Sequence, residues 1–126
     1  MKLFMYTPEQ PHSSDVNWMF MSTDTITCCK YRLGPGNSFD PVDVHAGDEA
    51  YYVIKGCVTM FNPGTGQVVE LKQGEAILMP KGAPHKAYNF TAEEAEMLAV
   101  IAPQIWGPDG PPDSYDDKMK TLKYDR

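Results

Sequence analysis

The stretch GEAILMPKGAPHKAYN, residues 74–89, joins a short apolar run to a bend and a histidine. Gly74 stands before the run, and Pro80 and Gly82 follow it. Proline fixes φ and glycine permits positive φ, so these residues predict stiff turns at both ends of a strand. His85 begins the next short segment and is one of only three histidines in the chain. A histidine held firmly between stiff turns, in a chain with so few histidines, is a candidate functional residue.

Prolines and glycines divide the rest of the chain into short runs that are rich in β-branched and aromatic residues. Such runs predict strands, and many short strands predict an all-β sandwich or closed barrel. The loop NPGTGQ (62–67) predicts a hairpin. Residues 91–95 predict a turn, although Thr91 and Glu94 have the spacing of a helix capping box. The predicted strands are 24–33, 49–61, 67–74, 75–80, 85–90 and the apolar run that ends at 103.

Length and composition favour a single-domain globular protein and disfavour nucleic-acid and membrane partners. A chain of 126 residues is long enough for one domain with a core. Its net charge of -6 disfavours a nucleic-acid partner. It has no apolar run long enough to cross a bilayer and no signal-peptide segment near Met1, so a membrane partner is not expected. Three cysteines, two of them adjacent (Cys28, Cys29 and Cys57), are not a disulfide framework and indicate a reducing, cytoplasmic location.

A second segment, DVHAGDEAYYVIKG (43–56), carries the partners that His85 would need. Asp43 and His45 lie two residues apart and are predicted to share a face of a strand, and Glu49 follows His45 after three residues. Imidazole and carboxylate groups that converge from two segments suit a first-row divalent metal ion. The remaining histidine, His12, lies in a polar stretch and is predicted to be exposed.

These two segments resemble the paired motifs of the cupin family. Residues 74–89 match the second motif in full at Gly74, Pro80, Gly82, His85 and Asn89. Residues 36–56 resemble the first motif, with His45, Glu49 and Gly56 at its spacings. The resemblance implies a single-domain cupin jelly-roll β-barrel, often dimeric, with one divalent metal ion (Fe, Mn, Zn or Ni) in the barrel mouth, held by His45, Glu49 and His85.

The resemblance also suggests how residues 1–126 are arranged around that site. A metal-site core covers about 24–102, with peripheral segments at 1–20 and 103–126. Within the last segment, 113–123 predicts a short helix capped by Asp113 or Ser114. The proline-rich arm before it packs either on a neighbouring subunit or on its own barrel, and we expect a homodimer.

One position departs from the family pattern, which has His-x-His where this chain has Asp43 and His45. Asp43 is either a fourth ligand, which would favour Mn²⁺ or Fe²⁺, or it does not bind the metal and instead acts as a nearby base or holds a metal-bound water. As a ligand it would bring the metal and its ligands from +1 to zero net charge and would weaken the Lewis acid.

Alternation with Glu49 and His85 places further side chains in the barrel. Tyr51 and Val53 share the face of Glu49, and Ala87 and Asn89 share the face of His85. Tyr51 is a candidate catalytic and substrate-binding residue through its hydroxyl, or a core residue, and Asn89 is a second candidate for substrate binding.

Three functions fit these residues. The first is a metal-dependent enzyme, of dioxygenase or lyase/isomerase type, that acts on a small keto, enol, hydroxy-acid or phenolic molecule. The others are a non-catalytic small-molecule or sugar-binding module, and a metal-free, epimerase-like cupin with an acid/base pair.

Overall fold

The protein is described by a computed structural model that covers residues 15–23, 25–39 and 44–103, with Leu3 and Met5. This part of the chain contains no helix, so nothing in it has the helical length and apolarity to cross a membrane. The all-β prediction is confirmed. The strands are β1 (Val16–Ser22), β2 (Thr27–Leu33), β3 (Asp48–Lys55), β4 (Cys57–Asn62), β5 (Gln67–Lys72), β6 (Ala76–Met79), β7 (Lys86–Tyr88) and β8 (Ala95–Ala102).

The strands form two antiparallel sheets. One sheet has the order β1-β2-β8-β3-β6, and the other has the order β5-β4-β7. Consecutive strands β3 and β4 therefore belong to different sheets, and the prediction of one strand over 49–61 is wrong. Gly56 separates the two strands with a φ of 76°, and a Cβ there would lie 2.7 Å from the carbonyl oxygen of Glu94. Only glycine fits this corner, where the chain turns from one sheet to the other.

The core lies between the two sheets and follows the alternation of the strands. Along β3 the buried side chains are Glu49, Tyr51 and Val53, and Ala87 and Asn89 are buried opposite them. The predicted inward faces are confirmed. The largest fully buried apolar side chains of the core are Leu33, Met60, Met97, Ile101, Val53 and Val58.

The edge strand β1 is not among the predicted strands. Most of its residues are half-buried, without a clean alternation, and its pairing with β2 is irregular between Met19 and Met21. An edge strand with a bulge loses the period of two on which sequence reasoning depends. The end of the segment 1–20, which was predicted to be peripheral, is thus a strand of the larger sheet.

Other local predictions can be compared directly. A hairpin at 62–67 joins β4 to β5, and residues 91–93 form a bend before β8, so both turn predictions are confirmed, although Ala95 at the end of the predicted turn already belongs to β8. Cys28, Cys29 and Cys57 form no disulfide in the described ranges, and burial raises the pKa of the Cys28 thiol. The predicted helix at 113–123, the arm before it and His12 lie outside the described residues.

Candidate metal centre

The first histidine of the site stands in a loop rather than on a strand. His45 lies three residues before β3, which begins at Asp48, so the prediction that His45 lies on a strand is wrong. Its side chain is nevertheless buried. Asp43 lies outside the described residues, so its two alternative roles stay predictions.

The bend of the second segment holds this loop in place. The amide of Gly82 donates to the carbonyl of His45 at 3.0 Å, and the amide of Lys81 donates to Oδ1 of Asp48 at 2.8 Å. Gly82 has a φ of 76°, as the sequence predicts for this turn. The turn therefore fastens the loop of His45 to the segment that leads into His85.

Glu49 lies at the centre of the group. Its Oε1 atom is 2.9 Å from Nε2 of His85 and 3.3 Å from Nε2 of His45, and all three side chains are buried. The two imidazole rings lie side by side, with centroids 5.3 Å apart. One ligand atom from each residue can be chosen so that all lie within 4.8 Å of one another. The structure thus brings His45, Glu49 and His85 together around one point.

The hydrogen bond made by Nδ1 of His85 shows which ring nitrogen carries the proton. Nδ1 lies 2.9 Å from the carbonyl oxygen of Ala83. A carbonyl oxygen only accepts, so Nδ1 carries a proton and donates it. In the neutral ring Nε2 then presents a lone pair towards the carboxylate of Glu49, which is repulsive unless a proton or a cation lies between them. Metal-binding histidines commonly donate their second nitrogen to a backbone carbonyl in this way.

Buried polar atoms that lack hydrogen-bond partners also indicate a metal site. Among the described residues, Nδ1 of His45 and Oε2 of Glu49 have no hydrogen-bond partner, and Nε2 of His45 has only its 3.3 Å contact with Oε1 of Glu49. Such groups cost free energy when they are buried alone, and coordination to a cation removes that cost. Two imidazoles and a carboxylate are also a suitable donor set for a first-row divalent ion, so the residues present fit a metal.

Opposing effects determine the pKa of Glu49. Burial raises it, while contacts with the rings of His45 and His85, the charge of His45 and the Tyr51 hydroxyl lower it. The net result is a pKa below the usual value of 4.5. Glu49 is therefore ionised at neutral pH, which is the form that binds a metal.

Tyr51 reaches the site from β3. Its side chain is buried, and its hydroxyl lies 3.2 Å from Nε2 of His85. The Tyr51 ring also meets the His85 ring edge-on, with centroids 5.8 Å apart. Tyr51 thus packs in the core and contacts a candidate ligand with its polar end.

Asn89 has other partners. Its Nδ2 donates to the carbonyls of Leu33 and Glu93, and its Oδ1 accepts from the amide and hydroxyl of Thr91. These bonds stabilise the turn before β8. A role of Asn89 in substrate binding stays a prediction that these contacts do not support.

Sequence reasoning missed the carbonyl of Ala83, which orients His85. The position of a backbone carbonyl cannot be read from the type of residue that carries it. The neighbouring Pro80 and Gly82 are the available signal, because they indicate the turn in which that carbonyl is placed.

The fold and this site together define a small two-sheet β-barrel protein with a buried His-Glu-His group. A family model described as a cupin domain matches residues 30–101, more than half of the chain. The protein belongs to the cupin family, and its jelly-roll fold is the one that the motifs imply.

Solved structures agree with this assignment. The chain is similar to TT1209 from Thermus thermophilus, with 29% identity, a TM-score of 0.64, and coverage of 76% of this chain and 90% of that one. An RmlC-like cupin family protein with a double-stranded β-helix fold from Methanocaldococcus jannaschii gives 18% identity, a TM-score of 0.71, and coverage of 82% and 93%.

A third similar structure is the cupin domain of an XRE family transcriptional regulator from Enterobacter cloacae. It gives 20% identity, a TM-score of 0.56, and coverage of 63% of this chain and 82% of that one. No curated protein matches the chain.

Proposed function

We propose that the protein is a divalent-metal-dependent cupin enzyme that acts on a small oxygenated organic molecule chelated to the metal. The observation that carries this proposal is the meeting of His45 and His85 on one oxygen of buried Glu49, at 3.3 and 2.9 Å. A buried carboxylate lies between two buried imidazoles, and some of their polar atoms, such as Nδ1 of His45 and Oε2 of Glu49, make no hydrogen bond. Packing alone does not explain this arrangement, because such atoms cost free energy when they are buried.

The metal would be held by Nε2 of His85, a carboxylate oxygen of Glu49 and a ring nitrogen of His45. Two neutral imidazoles and one carboxylate leave a divalent ion with a net charge of +1, which attracts an anionic keto, enol, hydroxy-acid or phenolic oxygen. When bound, the ion would polarise a chelated carbonyl or hydroxyl group, or support dioxygenase chemistry if it is Fe²⁺.

The chain itself supplies orientation and a proton donor. The Ala83 carbonyl holds the His85 ring in one tautomer, and the inward side chains of β3 shield the group from water. The hydroxyl of Tyr51 lies 3.2 Å from Nε2 of His85. It is placed to donate to an oxygen bound next to that nitrogen, where charge would develop during a lyase or isomerase reaction.

Metal analysis of protein purified without added metal tests the proposal. We expect about one divalent ion per chain, from the His-Glu-His group that the described residues form. Oxygen uptake against a panel of diketones, catechols and hydroxy acids then separates the reaction types. Iron with substrate-linked oxygen loss indicates a dioxygenase, and zinc, nickel or manganese without oxygen use indicates a lyase or isomerase. Bound metal without turnover of any substrate would favour a non-catalytic binding module.

The role of Asp43 can be decided in the same assay. In the Asp43→Asn variant, a fourth ligand would lower the metal content. A base would instead leave the metal content unchanged and lower turnover.

A second candidate function is metal-free acid/base catalysis of the epimerase type. The contact of Tyr51 with His85, together with that of His85 with Glu49, supports it, because such a set can exchange protons with a substrate. This candidate predicts activity that survives a chelator, whereas the metal-dependent enzyme loses activity and regains it with added metal. A cytoplasmic location and a small-molecule partner, without nucleic acid or membrane, belong to the same proposal.

A further inference from the structure

A pocket lies between edge strands of the two sheets. β5 is an edge strand of the smaller sheet, and β6 is an edge strand of the larger one. The turn at 73–75 joins them, and there the amide of Gly74 donates to the carbonyl of Val53 at 2.9 Å. At the ends far from this turn, near Gln67 and Met79, the two strands enclose a pocket of about 130 Å³. We call it the side pocket.

The side pocket has an apolar floor and apolar walls. Met60 and Met79 are buried and lie at its floor, whereas Val69, Ile77 and Ala83 are half-buried and form its walls. None of the described residues that line the pocket is charged. A charged group would lose its hydration there without gaining a partner, so the pocket favours an uncharged hydrocarbon group.

Two register pairs connect the side pocket to the candidate metal centre. Across the ladder of β6 and β3, Met79 pairs with Glu49, and Ile77 pairs with Tyr51. Residues that are paired in an antiparallel ladder point to the same face, with Cβ atoms about 5 Å apart. The floor and one wall of the pocket are therefore direct neighbours of a candidate ligand and of the Tyr51 ring.

The turn before β7 makes a third connection. Ala83 lines the pocket, and its carbonyl accepts the hydrogen bond from Nδ1 of His85 at 2.9 Å. The residue that orients one candidate ligand is thus also a wall of the pocket. A small molecule with one end in the side pocket can therefore bring its other end to the metal centre.

We propose that the side pocket receives the hydrocarbon part of the substrate, an uncharged alkyl group or ring of about five carbon atoms. The oxygen-bearing end of the same molecule lies at the metal centre, so this inference rests on the proposed function. Volume sets the size, because an apolar cavity of about 150 Å³ holds benzene and the side pocket has about 130 Å³. The substrate class is thereby narrowed to molecules with a short apolar side group, rather than sugars or dicarboxylic acids.

The walls rather than the floor set the limit on size. Methionine side chains are flexible, so Met60 and Met79 can adjust to the shape of the bound group. Val69 is stiffer because it is β-branched. It lies on β5 and pairs with Met60, away from the strand that carries Glu49. Val69 is therefore the residue whose size should decide which side groups fit.

Titration of the full chain with straight-chain alcohols from ethanol to octanol tests the side pocket. The methionine methyl groups are labelled with carbon-13, and Met60→Leu and Met79→Leu identify two of the NMR signals. We expect these two signals to shift, with an affinity that rises about fourfold for each added carbon up to about pentanol. The affinity should then level off, because further carbons stay in water. The titration is made on the protein as purified and again with a chelator present.

Two neighbouring valines provide a matched pair of variants. In Val69→Phe the ring fills most of the pocket, so the affinity for pentanol should fall by at least about tenfold. Val68→Phe is the control, because Val68 is 62% exposed on the opposite face of β5, and its affinity for pentanol should not change. Val69→Ala enlarges the pocket and should extend the rise in affinity to alcohols about two carbons longer. It repeats the test if circular dichroism shows that Val69→Phe is not folded.

Three results would overturn the proposal. They are unshifted signals of Met60 and Met79, an affinity that does not depend on the length of the alcohol, and equal affinities in the folded variants of Val69 and Val68. Failure of the proposed function is seen separately. A protein that binds no metal and turns over no substrate can still show the alcohol series, whereas bound metal without that series overturns the side pocket alone.

Discussion

The hydroxyl of Tyr51 lies 3.2 Å from Nε2 of His85, the same nitrogen that a metal ion would require. The other nitrogen of that ring is already used by the Ala83 carbonyl. The hydroxyl and a metal thus compete for one lone pair. If a metal were bound to that nitrogen, the hydroxyl would have to donate to another oxygen nearby, because Tyr51 is buried away from bulk water.

Tyr51→Phe separates metal binding from catalysis. We expect the variant to keep its metal, with an affinity equal to or higher than that of the wild type, because a competitor for His85 is removed. Turnover should fall by about 10-fold or more, because a proton donor beside the substrate is lost. Competition titration with a metal indicator and steady-state kinetics measure the two effects. Loss of metal in the variant would show instead that Tyr51 positions the ligands.

Glu49→Gln removes the charge from the centre of the site and keeps the shape of the side chain. We expect metal affinity to fall by more than about 100-fold, beyond the usual effect of a residue that only orients a ligand. His85→Ala should give a similar loss in a folded barrel. Glu70→Gln, at an exposed carboxylate on β5, is the control. Equal metal content in Glu49→Gln and Glu70→Gln would contradict the ligand assignment.

Stability of the metal-free protein should depend on the ionisation of Glu49. Its folded-state pKa is below the usual 4.5, so the ionised group stabilises the fold above that pH. This stabilisation is lost as the pH falls through the lower, folded-state pKa. The difference in free energy of unfolding between wild type and Glu49→Gln should therefore shrink as the pH falls below the usual pKa of 4.5. Urea titrations along this range measure it, and a difference independent of pH would be inconsistent with a lowered pKa.

Alanine substitutions at two glycines with the same φ can separate two contributions to the free energy of unfolding. One is the cost of a positive φ, and the other is the cost of a close contact with the added Cβ. Gly56 and Gly66 both have a φ of 76°, but a Cβ meets the backbone of Glu94 at 2.7 Å only at Gly56. Gly66→Ala should lower the free energy of unfolding by roughly 1 kcal/mol, and Gly56→Ala by roughly 3 kcal/mol. Chemical denaturation measures both. Equal losses would show that the corner between the sheets relaxes easily.

Local patterns predicted most of the strands and the direction of their side chains. The alternation along β3 placed Glu49 and Tyr51 inside, and the spacing of Pro80, Gly82 and His85 predicted the turn. The same reasoning failed where the outcome depends on distant residues. The break at Gly56 follows from a contact with Glu94, which no window around Gly56 contains.

The amino-acid sequence by itself determined the class of fold, the candidate ligands His45, Glu49 and His85, and the face on which Glu49 and Tyr51 lie. The fold class and the inward face follow from backbone preferences and from the period of two along a strand, which act over a few residues, and the candidate ligands follow from the spacing of the two motifs. Only the tertiary structure decided which strands pair, how the His45 loop is fastened to the turn at Gly82, and that Tyr51 meets His85. These contacts join segments about 35 residues apart, so they depend on packing the whole chain rather than on any local pattern.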